Sequence, residues 1–333
     1  MNKKTLYLFI ACLLPSFLLP GQWDKYRFET ARMGSPFRII ISTQDSTGLT
    51  HVVHEALLLA ENLENQLSDY RLESDVSKVN QLAGTGQFHP IKEPFKAILN
   101  ESLLAYQYSH GDLNVFLGKL VAAWRKARKT QVLPDQKQMQ NWLEELKSPC
   151  LEFNKDSSGI RLKQTACQLD FGSIGKGFVA QRVLDYLVKK SFPYALVDAG
   201  GKICATQVNP AGEAWKVGLE LPNSRNVSSD YLEIKNQSIA SSGKTYQQVN
   251  IGGKIYSHVI DPKTGLGLEH ARSATAIAAH GARADWVATA ATIMEISELK
   301  LLLQSLPEVK LLVWEYQNDQ LEILLNHGIL ITD

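Results

Sequence analysis

Helix-period and strand-period apolar runs follow one another in this chain without the strand–helix–strand rhythm that a parallel sheet requires, and that ordering restricts its fold more than any other feature. Residues 51–68, 91–109 and 115–128 place apolar side chains at helical spacing, and 173–190 reads as a helix entered through a glycine turn. Short strand-like runs follow at 194–199, 216–221, 231–235 and 254–260. After the apolar segment 273–280 come helical patterns at 281–295 and 297–305, then closing strands at 309–316 and 321–326. This predicts an α+β fold with mixed or antiparallel sheets flanked by helices, not a doubly wound parallel sheet. The stretch around 126–150 reads as an exposed loop-and-helix region rather than a domain break, so residues 22–333 are expected to form one catalytic unit.

Composition closes off several function classes. With 44% apolar and 21% charged residues, the chain is not a disordered tail, a collagen-like fibre, a coiled coil or a disulfide miniprotein. A net charge of +1 carries no footprint for nucleic acid. The function is therefore sought in a small-molecule site.

Residues 1–21 are expected to be a secretory signal peptide. Lys3 and Lys4 precede the apolar run LYLFIACLLPSFLLP and then Gly21. The run falls short of the roughly 20 residues of a membrane span, and Pro15 interrupts it. A membrane anchor is the alternative, and a lipoprotein modified at Cys12 is disfavoured because the apolar run continues past that cysteine. Export to the periplasm is the expectation. Cys150, Cys167 and Cys204 then remain, an odd number outside any CxxC spacing. They read as small buried hydrophobes, with one disulfide plus a free thiol as the alternative.

Glycine collects beside polar residues in DFGSIGKG (170–177), DAGGK (198–202), ASSGK (240–244), IGGK (251–254) and DPKTG (261–265). Any one of these is an ordinary turn. Five together, three with lysine directly after the last glycine, predict a phosphate-bearing ligand facing loop N–H groups and a helix N-terminus. The strongest, Gly172–Gly177, is neither a Walker loop nor a dinucleotide fingerprint. Asp285 and Thr289 lie four apart on a predicted helix, so their oxygens share a face suited to a hard cation such as Mg²⁺. The alternative is a helix-start aspartate facing the dipole. His258 ends a predicted strand before the DPKTG turn, sharing a face with Ile260, with Asp261 opposite. It could bind phosphate or move a proton, or be a plain surface histidine.

In combination these segments resemble the ApbE family of FAD:protein FMN transferases. The matching strings are MGSPF (33–37), Ser68-Asp-Tyr-Arg71 with SDVSKVN (74–80), DLNVFLGKLVAAW (112–124) and LDFGSIGKGFVAQRV (169–183). They continue with ALVDAGGKICA (195–205), SIASSGK (238–244), YSHVIDPKTG (256–265) and ADWVAT (284–289). The resemblance implies an FAD cleft between two subdomains and a Mg²⁺-dependent transfer of FMN from FAD to a Thr or Ser hydroxyl of a target protein. A phosphoester forms and AMP is released; the target would be a membrane-associated or exported electron-transfer protein. Asp285 and Thr289 match the metal ligands, with main-chain oxygen near Ser173 and Gly175. Met33, Tyr70, Gly118, Asp170, Lys176, Gly200, Gly201, Ser242, Gly243 and His258 match the FAD pocket. His258 or Asp261 is the expected base. The chain departs from the family at Gln181, where Asp is usual, at Lys119, where Pro is usual, and at Ser241 in the later loop. An FAD pyrophosphatase giving FMN and AMP, or a non-catalytic exported FAD-binding protein, are the competing expectations.

Overall fold

The computed structural model describes residues 23–219, 231–243, 248–317 and 320–330. The leader with Cys12, the last two residues of the 216–221 run and Lys244 of the ASSGK cluster lie outside the described residues. In chain order the first elements are β1 (Asp24–Arg32), β2 (Ser35–Thr43), α1 (Leu49–Leu67), α2 (Asp75–Gln81), β3 (His89–Pro90), α3 (Phe95–Tyr108), α4 (Gly118–Thr130) and α5 (Gln136–Glu145). Next come β4 (Leu151–Phe153), β5 (Gly159–Leu162), α6 (Gly175–Lys189), β6 (Ala195–Ala199), β7 (Lys202–Ala205), β8 (Trp215–Gly218) and β9 (Tyr231–Ile234). The remainder is β10 (Ser238–Gly243), β11 (Gln248–Ile251), β12 (Lys254–Ser257), β13 (Arg272–Ala278), α7 (Gly281–Ala291), α8 (Ile296–Ser305), β14 (Lys310–Gln317) and β15 (Gln320–His327).

The main sheet has eight strands in the order β1-β2-β6-β7-β10-β13-β14-β15, and its strand pairs are antiparallel. The α+β expectation therefore holds. Every residue of β6 is buried, as a strand covered on both faces must be. One face packs on helices: α1 turns Leu49, Val53, Ala56, Ala60, Leu63 and Leu67 inward at three- and four-residue spacing. Against the opposite face lies the β8–β9 hairpin, where Trp215, Val217, Leu232 and Ile234 meet Leu196, Ile239, Ile277 and Leu312. A third apolar cluster, with Leu120, Trp124, Met139, Ile251, Tyr256 and Ile260, joins α4 and α5 to the β11–β12 hairpin as a smaller lobe.

Helix α7 is apolar or small nearly all round, and ten of its eleven residues are buried, which makes it the central helix rather than a surface one. Among the described residues no helix is long and apolar enough to cross a membrane. Cys150 and Cys167 form a disulfide while Cys204 is free and buried. The arrangement is thus the alternative to three buried thiols. It arises because β5 continues beside Cys150, whose carbonyl accepts from the Lys163 N–H at 2.8 Å, and the chain then turns back at Cys167.

Candidate active site

The site is built on a helix crossing. Helices α6 and α7 touch at Gly177 and Gly281, where each backbone fills the place a side chain would need. Only glycine at both points allows this approach, and it brings Asp285 of α7 against the first turn of α6. There Oδ2 of Asp285 accepts from the Gly177 N–H at 2.9 Å. The residue is 1% exposed. Burial pushes its carboxyl above the usual aspartate range, with Lys202 and Lys176 acting the other way. One turn on, the Thr289 hydroxyl is also buried and donates to the Asp285 carbonyl at 3.0 Å.

Other elements converge on this helix start. Met33 stands in the β1–β2 turn with φ 51°, its N–H on Glu64 at 3.1 Å, and a Cβ on Gly175 would lie 3.6 Å from its methyl. Gly200 and Gly201, at φ 60° and 84°, turn the chain from β6 into β7. A Cβ on Gly200 would meet Ser35 Oγ at 2.6 Å and lie 3.9 Å from Lys176 Cδ. Lys202 then points its ammonium at the carbonyl of Ser241 and stands 3.8 Å from Asp285 Oδ1. Ser242 and Gly243 close β10 opposite Ala274 and Ser273 of β13.

Five N–H groups of the glycine loops find partners within the protein. The Gly172 N–H is held by Asp170 at 2.6 Å, Gly175 by the Phe171 carbonyl at 2.7 Å, and Gly177 by Asp285. Gly200 donates to Pro36 at 2.9 Å and Gly201 to Asp198 at 2.7 Å. These N–H groups are spent inside the protein. Their glycines serve tight turns and close approach, and Lys176 and Lys202 add positive charge beside Asp285.

Asp170 connects the helix start to a second group. Arg125 of α4 bridges Asp170 and Asp69 and lies over the Tyr70 ring at 4.1 Å. Tyr70 is otherwise 73% exposed. Burial and the nearby Asp69 raise the Asp170 carboxyl, while Arg125 opposes them. Tyr70, Arg125, Arg128, Lys129, Gln248 and Val249 line a cavity of about 280 Å³. The α4 helix begins at Gly118, whose N–H donates to the Gln168 carbonyl at 2.7 Å, two residues before Asp170.

His258 lies just beyond the end of β12, in the smaller lobe, tied to α4 through a Trp124 Nε1–Ser257 carbonyl bond of 3.0 Å. The regular strand expected to 260 stops at Ser257, where the Ser257 hydroxyl takes the Val259 N–H; beyond this irregularity the chain still pairs with the return segment, through Leu268 to the Val259 carbonyl and a bridge between Ile260 and Gly267. His258 and Ile260 are therefore not strand neighbours on one face. Both carboxylate oxygens of Asp261 accept within its own turn, from the Lys263 N–H at 2.8 Å and the Thr264 hydroxyl at 3.2 Å.

Met33, Ser173, Gly175, Lys176, Gly200 and Asp285 thus gather around one helix start, with Thr289 a turn deeper; Tyr70 and Gly118 join it through α4. Sequence reasoning counted Lys202 only within the DAGGK cluster and passed over Arg125. The glycine pair before Lys202 was a usable signal, whereas Arg125 finds its partners 45 and 56 residues away and had none. Among the described residues no three His, Cys, Asp or Glu side chains come together for a metal. A cation here would rest on one carboxylate, one hydroxyl and main-chain oxygens, all hard donors, and on phosphate oxygens of its ligand. That donor set fits Mg²⁺.

The ApbE family model matches residues 33–313. The FAD:protein FMN transferase of Klebsiella pneumoniae is 27% identical over 248 residues, covering 74% of each chain. The Haemophilus influenzae FAD:protein FMN transferase is 28% identical over 248 residues, covering 72% of this chain and 71% of that one. Among solved structures, the apo form of the Pseudomonas stutzeri flavinyl transferase ApbE superposes with a TM-score of 0.79 at 21% identity, covering 93% of this chain and 97% of that one. The ApbE protein of Thermotoga maritima gives 0.78 at 21% identity, covering 90% and 97%.

Proposed function

The chain belongs to the ApbE family, and from that premise we propose that it is an FAD:protein FMN transferase that moves FMN from FAD onto a Thr or Ser hydroxyl of a protein acceptor. The observation that carries the reading is the buried Asp285–Thr289 pair, one helical turn apart and pressed against the N-terminus of α6.

In this reaction the acceptor hydroxyl oxygen attacks the phosphorus next to the flavin's ribityl chain. The P–O bond to the other phosphate breaks, AMP leaves with the bonding electrons, and the hydroxyl proton passes to a base. Such a displacement needs positioning and charge neutralisation more than covalent help from the protein. Lys176 and the α6 dipole hold diphosphate oxygens. Met33 and the exposed face of Tyr70 offer surfaces for the flavin and adenine rings. A divalent cation, Mg²⁺ in our reading, would be held by Asp285, Thr289 and main-chain oxygen near Ser173 and Gly175, and supplies neutralising charge to the diphosphate. His258 is the better base, since Asp261 is committed to its turn. The transfer takes place outside the cytoplasm, after removal of residues 1–21, on an exported or membrane-associated electron-transfer protein.

Incubation with FAD, MgCl₂ and the soluble domain of such an acceptor should leave flavin fluorescence on the denatured acceptor band, lost in Asp285→Ala. Free FMN and AMP with no labelled acceptor would make the enzyme a pyrophosphatase instead. His258→Ala should slow transfer by about 10²–10⁴-fold with FAD affinity retained. Undiminished turnover in that variant removes His258 from catalysis.

A further inference from the structure

Lys202 opens a central strand and is placed where a lysine is costly. β7 lies between β6 and β10, and its alternation turns Lys202 and Cys204 toward the helices; the Cys204 sulfur lies 3.9 Å from the Gly177 carbonyl. The Lys202 side chain is 12% exposed. Its ammonium donates to the Ser241 carbonyl and faces Asp285 Oδ1 at 3.8 Å, beyond hydrogen-bonding distance. The other carboxylate nearby, Asp198, is held by Arg38 at 3.1 Å and by the Gly201 N–H. A buried ammonium with one loosely placed carboxylate is a poor stabilising pair. A neutral amide at this position would satisfy the Ser241 carbonyl at lower cost.

The surroundings give that cost a use. The N–H groups of Gly172, Gly175, Gly177, Gly200 and Gly201 are spent inside the protein, which leaves Lys176 and Lys202 as charged side chains facing Asp285 at the helix start. A divalent cation and an ammonium compete for the same carboxylate oxygen, and the four-carbon stem of lysine lets its head group move while its backbone stays in the strand.

We propose that Lys202 is a tethered counter-cation: it neutralises Asp285 before ligands arrive and turns to the FAD diphosphate when the divalent cation takes that carboxylate. The proposal rests on the transferase reading for the identity of the ligand. It makes Lys202 an opponent of the metal when FAD is absent and a supporter of FAD when metal is absent. A lysine that only props up the sheet would do neither.

The test uses the chain lacking residues 1–21 as wild type, Lys202→Met, Lys202→Gln and Lys202→Arg. Mg²⁺ binding without nucleotide is measured by calorimetry, and FAD binding in EDTA by quenching of flavin fluorescence. Lys202→Met should bind Mg²⁺ about tenfold more tightly and FAD about tenfold more weakly, and Lys202→Arg should recover most of the FAD affinity. Lys202→Gln should repeat both shifts and serves in place of Met if that variant does not fold. Mg²⁺ affinity that is unchanged or weaker in the neutral variants overturns the proposal, as does unchanged FAD affinity. Failure of the wild-type chain to bind FAD even with MgCl₂ would instead strike the transferase reading, and the Mg²⁺ shift would still report on Lys202 and Asp285.

Discussion

Gly177 and Gly281 lie backbone against backbone: a Cβ on Gly177 would come within 2.1 Å of the Gly281 carbonyl oxygen, and one on Gly281 within 2.2 Å of the Gly177 carbonyl oxygen. Neither obstacle is a flexible side chain that could swing aside. The contact sets how closely α7 approaches α6, and with it the hydrogen bond between Asp285 and the Gly177 N–H.

Gly281→Ala should therefore destabilise the protein despite the better helix propensity of alanine. Forcing two helices apart costs about 1–3 kcal/mol, and a clash with rigid backbone lies at the upper end. Urea denaturation should report this loss together with weakened FAD binding. Gly218→Ala, where the added Cβ meets nothing within 4 Å, should stay within about 0.5 kcal/mol of wild type. Equal stability of both variants would remove the crossing as the device that positions Asp285.

Arg125 holds two carboxylates, and its loss should be read through pH. The folded Asp170 carboxyl is already raised above its unfolded value, so its contribution to stability falls as pH rises from the unfolded value toward the folded one. Arg125→Met takes away the charge that opposes this and raises the Asp170 carboxyl further. The variant should lose about 2–3 kcal/mol at pH 7.5 and distinctly less at pH 4.5, because protonation of Asp170 removes the charge that Arg125 offsets. An equal deficit at the two pH values would mean that Arg125 matters for packing alone.

Cys204 is buried and its thiol is pushed up to about 12 by desolvation. Between the unfolded thiol value near 9 and the folded one, the unfolded chain has lost the proton that the folded chain keeps, so stability falls with rising pH. Wild type should lose about 1.4 kcal/mol more than Cys204→Ala on going from pH 8 to pH 10. Iodoacetamide should leave the native thiol unlabelled and modify it only on unfolding. Rapid native labelling would place Cys204 at the surface instead.

The Cys150–Cys167 disulfide spans 17 residues and ends one residue before Gln168, whose carbonyl receives the Gly118 N–H. Closing a loop of that length restricts the unfolded chain by about 3 kcal/mol. The Cys150→Ser/Cys167→Ser double variant should show a loss of that order in chemical denaturation, and weaker FAD binding as the start of α4 loosens. Wild-type FAD affinity in a destabilised double variant would confine the bridge to stability.

Much of the helical framework was legible before folding. The apolar spacing at 51–68, 91–109 and 173–190 corresponds to α1 (49–67), α3 (95–108) and α6 (175–189), because one buried face per helix imposes its period on the residues. The run at 254–260 is strand to Ser257 and bridges again at Ile260; the irregularity between them, where the Ser257 hydroxyl takes the Val259 N–H, leaves no mark in hydrophobic periodicity. The glycine clusters were legible as tight turns, but composition does not show where a turn's N–H groups point, and five of them bond within the protein.

By itself the sequence determined the α+β class, the helix faces and the pairing of Asp285 with Thr289, all consequences of spacings of a few residues along one element. Only the tertiary structure decided that Asp285 meets Gly177, 108 residues away, that Lys202 faces the same carboxylate, and that Arg125 joins Tyr70 to Asp170. Those meetings depend on how closely helices cross and which strand lies under them. Packing between distant segments sets both, and no local pattern encodes it.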